Sequence, residues 1–507
     1  MYKNELFVKN ICFIIIKTLL QMSFILRYYQ ENSVKLAMDL LTEKNSKNRK
    51  GLLVLPTGAG KSIIIAELCK QLDGKVLIFQ PSTELLKQNV AKYKSVTNDP
   101  CSIYSASAGS KELSHVTFAT IGTVFKLGKD FKKFGFKYVI IDEAHEVGLK
   151  RKSKDKDDCS SMYQKFFADL GVKKVVGLTA TPFRNHVVGN RFESHTEAKF
   201  LTKTSPKFFN EVLYVVQNKE MVDNNWWKKI DYKYYEFDES KLKLSSTGKD
   251  YTINSLQDWS NSEELFEMIL DAVDILITKK QKKQIMIFVP SVESAETLAK
   301  RIGSNATCVH GGLKPIDRQT RLEDFSNQKY KVITNCEVLT TGYDNPEIDA
   351  IIMARPTKSL SLYMQIVGRL VRVPKNDKLE GLVVDFTNNV ETFGKVEDIT
   401  IENIEGYGYG VFTQVVNKRG DKYISKLLTD VDITNEFDIT REECIKRGLA
   451  LKTLKETPAK DFKLTLGKHN GQKISEVPIN YLIWLAENLK DKQPLLVKKV
   501  LEYLESL

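Results

Sequence analysis

Short, continuously apolar runs alternate along this chain with stretches in which apolar residues return every three or four positions. The runs include L-L-V-L (52–55), K-V-L-I-F-Q-P (75–81), V-T-F-A-T (116–120), Y-V-I-I-D-E-A-H (138–145) and V-V-G-L-T-A-T-P-F-R (175–184). Runs this short suit strands of a parallel sheet buried on both faces. Between them, Val34, Leu36, Ala37, Leu40 and Leu41, then Ile63, Ile64, Ile65, Ala66 and Leu68, then Leu85, Leu86 and Val90 carry helical spacing. A second set begins with a helix near 263–277. It continues through I-M-I-F-V-P (285–290), a helix holding Ala295, Leu298 and Ala299, K-V-I-T-N (331–335) and A-I-I-M-A-R (350–355). The alternation predicts an α/β protein with two parallel-sheet domains in tandem, over 23–185 and 262–400, with ligands at the carboxyl ends of the strands.

Elsewhere the pattern loosens. Residues 186–261 read as a linker, and W-W-K-K-I-D-Y-K-Y-Y-E-F (226–237) fits a β-type segment packing its rings on a domain better than a base-stacking surface. Residues 401–458 connect to a small α+β domain over 459–507. The N-terminal run is broken by Lys9, Asn10 and Lys17 and falls short of the roughly 20 residues that span a bilayer, so residues 1–22 read as a poorly structured leader. A length of 507 residues exceeds one core, and 42 % apolar with 28 % charged residues is the make-up of a soluble globular protein. The net charge of +12 permits a polyanionic partner without identifying one. Seven scattered cysteines signal neither a disulfide framework nor a zinc site, and point to a reducing cytoplasm.

The candidate chemistry centres on G-L-L-V-L-P-T-G-A-G-K-S (51–62), a strand running into a glycine turn and a helix. Pro56, Thr57, Gly58, Ala59 and Gly60 would turn backbone amides around a phosphate at a helix N-terminus. Lys61 would reach the β and γ phosphates and Ser62 would ligate magnesium; Leu55 stands where the generic pattern has glycine. Asp142 and Glu143 end a buried strand, where a metal-phosphate site needs one carboxylate for magnesium and one for the attacking water. In L-R-Y-Y-Q (26–30), Gln30 can pair with an adenine edge and Arg27 can lie against the ring. Thr179 and Thr181 suit coupling better than chemistry. In Q-I-V-G-R-L-V-R (365–372), Gln365, Arg369 and Arg372 stand at helical spacings of four and three and so share one face.

Together with T-T-G-Y-D-N-P (340–346), these blocks, in this order, resemble superfamily 2 helicases and translocases of the D-E-A-H type over roughly 26–373. The resemblance is nearest to RadD-type and phage branch-migration DNA helicases, although the cysteine-rich zinc tail of the former is missing. It implies two RecA-like domains, use of ATP and Mg2+, catalytic roles for Glu143, Lys61, Gln365, Arg369 and Arg372, and nucleotide contacts from Gly342 and Asp344. It further implies coupling through His145, Thr179 and Thr181, and a strand path lined by Pro81, Ser82, Thr120, Thr123, His310, Gly311 and Thr334. The segment F-K-L-T-L-G-K-H-N-G-Q-K-I-S-E-V-P-I-N-Y-L-I-W-L (462–485) resembles the C-terminal domain of some exodeoxyribonucleases, making Lys468, His469 and Lys473 candidate phosphate contacts. A small fold with a basic turn is the plainer alternative.

The resulting expectation is a monomeric, cytoplasmic, ATP-driven motor on duplex, forked or branched DNA in replication, recombination or repair, without membrane association. An RNA helicase, a restriction-complex motor subunit and an ATP-operated clamp are the competing readings.

Overall fold

The computed structural model describes residues 25–148, 161–427 and 464–506, apart from residues 46, 190–193, 205, 236–237, 239, 241, 246–249, 341, 375–379, 405–407, 417–422, 465–468, 470–471, 489–499, 502 and 505. The expected leader over 1–22 and residues 428–458 of the connecting region lie outside this set. The chain forms two compact units.

The first unit holds strands β1 (Arg49–Val54), β2 (Val76–Gln80), β3 (Ser102–Ser105), β4 (Ser110–Lys111), β5 (Val116–Thr120), β6 (Tyr138–Ile141) and β7 (Lys174–Thr179). A hairpin of β8 (Phe183–Gly189) and β9 (Ser194–Phe200) follows, grouped with the second unit, and the chain then returns to the first as β10 (Glu211–Val215). The sheet order is β10-β1-β7-β6-β2-β5-β3-β4, parallel except between β3 and β4. Register sets Val54 beside Thr179 and Phe79 beside Ile141, so the carboxyl ends of the central strands form one edge. Helices α1 (Tyr28–Thr42), α2 (Lys61–Gln71), α3 (Thr83–Thr97) and α4 (Met162–Leu170) cover it. Leu52, Leu53, Leu77, Ile78, Phe79, Ile140, Ile141, Val176 and Leu178 are fully or almost fully buried. Each such side chain contributes about 1.5–3 kcal/mol by leaving water.

The second unit has an all-parallel six-stranded sheet of β11 (Lys229–Tyr234), β12 (Ile285–Phe288), β13 (Ala306–His310), β14 (Val332–Cys336), β15 (Ala350–Met353) and β16 (Glu380–Asp385), ordered β11-β16-β15-β12-β14-β13. Helices α5 (Glu263–Thr278) and α6 (Val292–Ile302) bury Leu265, Ile269, Val273, Leu276, Ala295 and Leu298 with Ile285, Ile287, Ala350 and Ile352. A three-stranded antiparallel sheet, β17 (Thr400–Ile404), β18 (Gly408–Val416) and β19 (Tyr423–Leu427), follows. Near the C-terminus, Leu464, Ile474, Val477, Leu482, Leu485 and Val500 form a small separate cluster.

The stretch expected as a linker over 186–261 does more than connect. It supplies β10 to one sheet and β11 to the other, and part of its aromatic run packs as the β-type reading anticipates: Trp227 and Tyr232 are buried and Tyr235 stacks on Phe386, while Tyr234 is exposed. The parallel-sheet α/β fold of both units is the one the alternating pattern predicts.

Gly177 in β7 brings the sheet close to the turn that follows β6. A Cβ there would lie 2.6 Å from the Phe209 ring and 2.8 Å from the Ala144 Cβ. Gly177→Val is therefore expected to cost about 1–3 kcal/mol by overpacking. Urea denaturation would measure it, and an unaltered midpoint would contradict the close approach.

Candidate nucleotide-hydrolysis site

The first unit's strand edge gathers the chemistry. After β1 the backbone turns through Gly58 (φ 77) and Gly60 (φ 82), both left-handed, and α2 starts at Lys61. These are conformations that glycine adopts without a Cβ penalty. Positive φ falls on these two residues and not on Leu55, which is fully buried and donates its N–H to the Thr179 carbonyl at 2.9 Å. The departure from the generic pattern at position 55 therefore costs the turn nothing. Ala59 N–H donates to the Pro56 carbonyl, closing the loop; Thr57 and Ser62 are half-buried.

Arg27 and Gln30 stand at the start of α1. Gln30 is buried, its Oε1 accepting from Arg27 N–H and its Nε2 donating to the Ala59 carbonyl, each at 2.9 Å. Tyr29 Oη donates to the same carbonyl. The amide expected to meet adenine is thus engaged with the glycine loop and its own helix cap.

Asp142 and Glu143 follow β6, and Asp142 N–H donates to the Phe79 carbonyl. Glu143 has φ 47 and ψ 54, a left-handed position that costs a non-glycine residue about 1–2 kcal/mol. The Asp142 Oδ1 accepts the Glu143 N–H at 3.0 Å and holds the turn. Lys61 Nζ lies 2.7 Å from Glu143 Oε1, with both side chains more than four-fifths buried. The Asp142 carboxyl is pushed up to about 6, first by burial and then by the Glu143 charge, against the pull of Lys61. Its other oxygen accepts from Asn89 Nδ2 at 2.9 Å, and the same Nδ2 donates to Gln80 Oε1 at 2.8 Å.

His145 is buried, with Nδ1 2.9 Å from Thr179 Oγ1 and 3.4 Å from Glu143 Oε2; Thr181 N–H donates to Thr179 Oγ1. The three expected coupling residues are therefore together and in reach of Glu143. Also in the first unit, Pro81 is exposed, Ser82 caps α3 by accepting from Leu85 N–H, and the Thr120 and Thr123 hydroxyls are 3.1 Å apart. Residues 342–344 group with this unit; Gly342 has φ 80 and its carbonyl accepts from Gln88 Nε2.

In the second unit several expectations need correction. Helix α7 spans Pro315–Ser326 and helix α8 spans Leu360–Val367, ending at Gly368, so Gln365, Arg369 and Arg372 do not share a helical face. Gln365 is helical, Arg369 lies in the following turn with Nε donating to the Gln365 carbonyl, and Arg372 pairs its backbone with Trp227. Glycine without a Cβ favours leaving the helix, and the bridge to Trp227 draws the chain into extended form. Thr334 is fully buried and donates to the Ala295 carbonyl at 2.7 Å, which fastens β14 to α6 and removes its hydroxyl from any strand path. His310 is also buried, with Nε2 3.2 Å from Glu296 Oε1, and Gly311 is exposed. Among the C-terminal candidates, His469 and Lys473 are half-buried, His469 packs its ring edge against Tyr481, and Lys468 lies outside the described residues.

Sequence reasoning missed Gln80 and Asn89. The signal for Asn89 was a polar residue on the buried stripe Leu86, Val90 and Tyr93 of α3.

Residues 23–184 match the family described as "Type III restriction enzyme, res subunit", and residues 264–374 match "Helicase conserved C-terminal domain". The Saccharomyces cerevisiae protein called "Putative ATP-dependent helicase IRC3" is 27 % identical over 390 residues, covering 71 % of this chain and 51 % of the yeast protein. A "51.5 kDa protein" of a Lactococcus phage is 25 % identical over 398 residues, covering 77 % of this chain and 75 % of that one. Among solved structures, a type ISP restriction-modification enzyme bound to DNA aligns with a TM-score of 0.50 at 19 % identity, over 71 % of this chain and 27 % of the enzyme. The chain thus spans about half the length of the yeast relative. Among the described residues, no helix is long and apolar enough to cross a membrane.

Gly60→Ala tests the loop. A Cβ at φ 82 would sit 2.5 Å from Gln30 Nε2. Backbone strain of about 1–2 kcal/mol, added to displacement of Gln30, should lower the thermal midpoint and weaken ATP binding in equilibrium dialysis. Wild-type affinity in the variant would contradict the loop assignment.

Proposed function

With the paired helicase domains of superfamily 2 as the premise, we propose that this chain is an ATP hydrolase that translocates on DNA and remodels forks or junctions. The observation that carries the reading is the Lys61–Glu143 ion pair beside buried Asp142, at the mouth of a left-handed glycine loop. A triphosphate offers Lys61 a denser negative charge than one carboxylate does, so binding draws the ammonium onto the phosphates and releases Glu143. Glu143 then orients the attacking water and accepts its proton. Arg369 and Arg372 serve as cations for the transition state, with Gln365 near the γ phosphate, while Gly342 and Asp344 sense the nucleotide. His145, Thr179 and Thr181 pass the change in Glu143 to the nucleic-acid grip.

The Asp142 oxygens accept from Glu143 N–H and Asn89 Nδ2, and together with the Ser62 hydroxyl they would supply the oxygen donors that suit magnesium; a buried carboxylate gains from a cation. Magnesium, when bound, would neutralise phosphate charge there. Grip on the polymer comes through Pro81, Ser82, Thr120, Thr123 and Gly311, with His469 and Lys473 as auxiliary phosphate contacts. Such contacts make affinity salt-dependent and nearly independent of sequence. DNA is preferred over RNA on the T-T-G-Y-D-N-P block and the exonuclease-like tail. A second reading, the motor of a restriction complex, draws on the restriction-subunit match over 23–184; co-purification with a methylase or nuclease subunit would favour it.

ATP turnover measured with duplex DNA, forked DNA and RNA is the test. Forked DNA should stimulate most, and Glu143→Gln should abolish turnover while ATP binding persists. Strongest stimulation by RNA, or undiminished hydrolysis in the variant, would overturn the assignment.

Acidity gives a separate check. A carboxyl raised to about 6 carries a proton between its ordinary value and that pH, and its charged form is the costly one in the metal-free fold. Protons therefore compete with magnesium below about pH 6, and the magnesium concentration for half-maximal turnover should climb by up to about tenfold per pH unit there. A requirement that stays flat from acid to neutral pH would contradict Asp142 as the cation-side group.

A further inference from the structure

We propose that Asn89 and Gln80 are positioning residues that tie the Asp142 carboxylate to the ends of β2 and β5, so that polymer contact at those ends alters magnesium-dependent hydrolysis. This inference rests on the reading of Asp142 as the cation-side group of an ATP site.

Asn89 lies on the buried face of α3, among Leu86, Val90 and Tyr93. A polar group there costs stability unless it is bonded. Both hydrogens of its Nδ2 are used, one on Asp142 Oδ2 at 2.9 Å and one on Gln80 Oε1 at 2.8 Å. An ionised carboxylate only accepts, so the chemistry fixes which end of the Asn89 amide faces Asp142.

Gln80 is the last residue of β2, is fully buried and pairs in register with Thr120, the last residue of β5. The next two residues are Pro81 and Ser82, and Ser82 caps the helix that carries Asn89. The β2–α3 junction, which holds two of the proposed polymer contacts, is thus joined to Asp142 by two consecutive side-chain hydrogen bonds. Displacement of the junction moves Gln80 and the N-terminal turn of α3 together, and with them the hydrogen bond that Asn89 donates to the carboxylate.

Among the described residues, the Gln80 Nε2 has no hydrogen-bond partner. A half-satisfied amide inside a buried network is its costliest member, and rearrangement that gives Nε2 a partner is rewarded. Gln80 is therefore the point at which this relay changes state most readily.

Two variants separate the halves. Asn89→Leu removes both bonds, while Gln80→Met keeps the bond to Asp142 and cuts the tie to β2. Each is compared with wild type by thermal melting, by binding of a fluorescent ATP analogue with and without magnesium, and by turnover with and without forked DNA. Asn89→Leu should lose the affinity gain that magnesium confers by about threefold or more, and should also show a lowered DNA-stimulation ratio. Gln80→Met should retain the magnesium gain, while its ratio of DNA-stimulated to unstimulated turnover falls by about 3- to 30-fold. A folded Gln80→Met protein with the wild-type ratio, or with both rates lowered equally, would overturn the relay. If one variant fails to fold, the stimulation ratio of the other decides. Wild-type protein that DNA does not stimulate would remove the underlying reading and the relay together; stimulated wild type with a normal Gln80→Met ratio would remove the relay alone.

Discussion

Two carboxylates on consecutive residues at the end of a buried strand repel one another, and the first unit is arranged around holding them there. Lys61 answers one of them from across the sheet edge at 2.7 Å. Asp142 is held by the N–H of its own neighbour and by Asn89, and burial together with the Glu143 charge still leaves its carboxyl raised to about 6. A pair kept in this state is poised to receive positive charge, because any cation nearby relieves both desolvation and repulsion. The same pair would be a liability in a site that bound nothing, which is why the arrangement reads as functional rather than as core packing.

The rest of the unit follows from placing that pair opposite the glycine loop. Parallel strands align their carboxyl ends, so β1, β6 and β7 deliver the loop, the carboxylates and Thr179 to one edge without long connections. Helix α2 begins at Lys61 and turns its N-terminal amides toward the same place. Gly177, in the middle of β7, lets the Ala144 turn approach closely enough for His145 to reach Thr179. The second unit repeats the sheet logic and brings Gln365, Arg369 and Arg372 within one short stretch, fixed by the Gly368 helix end and the Trp227 bridge.

The chemistry was legible in the sequence wherever it is written in adjacent residues. The glycine loop, the Asp142–Glu143 pair and the strands that end on them need only local pattern, and both α/β units follow from their alternation. What was not legible depends on partners distant in the chain. Strand β11 alternates in K-I-D-Y-K-Y and reads as β-type, but its pairing with β16, like that of the unalternating β10 with β1, is decided by neighbours far along the chain. Helical spacing extended through Arg372 because the pattern does not register that Gly368 ends the helix. Thr334 matched a strand-path position by motif, yet its hydroxyl is spent on a carbonyl of α6. Asn89 looked like an ordinary helix residue, since only the fold sets it against Gln80 and Asp142.

The central claim is that Lys61 exchanges a carboxylate for a phosphate. Titration of a fluorescent ATP analogue into wild type and Lys61→Ala measures this directly. The account predicts saturable binding by wild type and an affinity lower by about tenfold or more in the variant, the loss expected for a charge-assisted hydrogen bond. Equal affinity in the two proteins would contradict it.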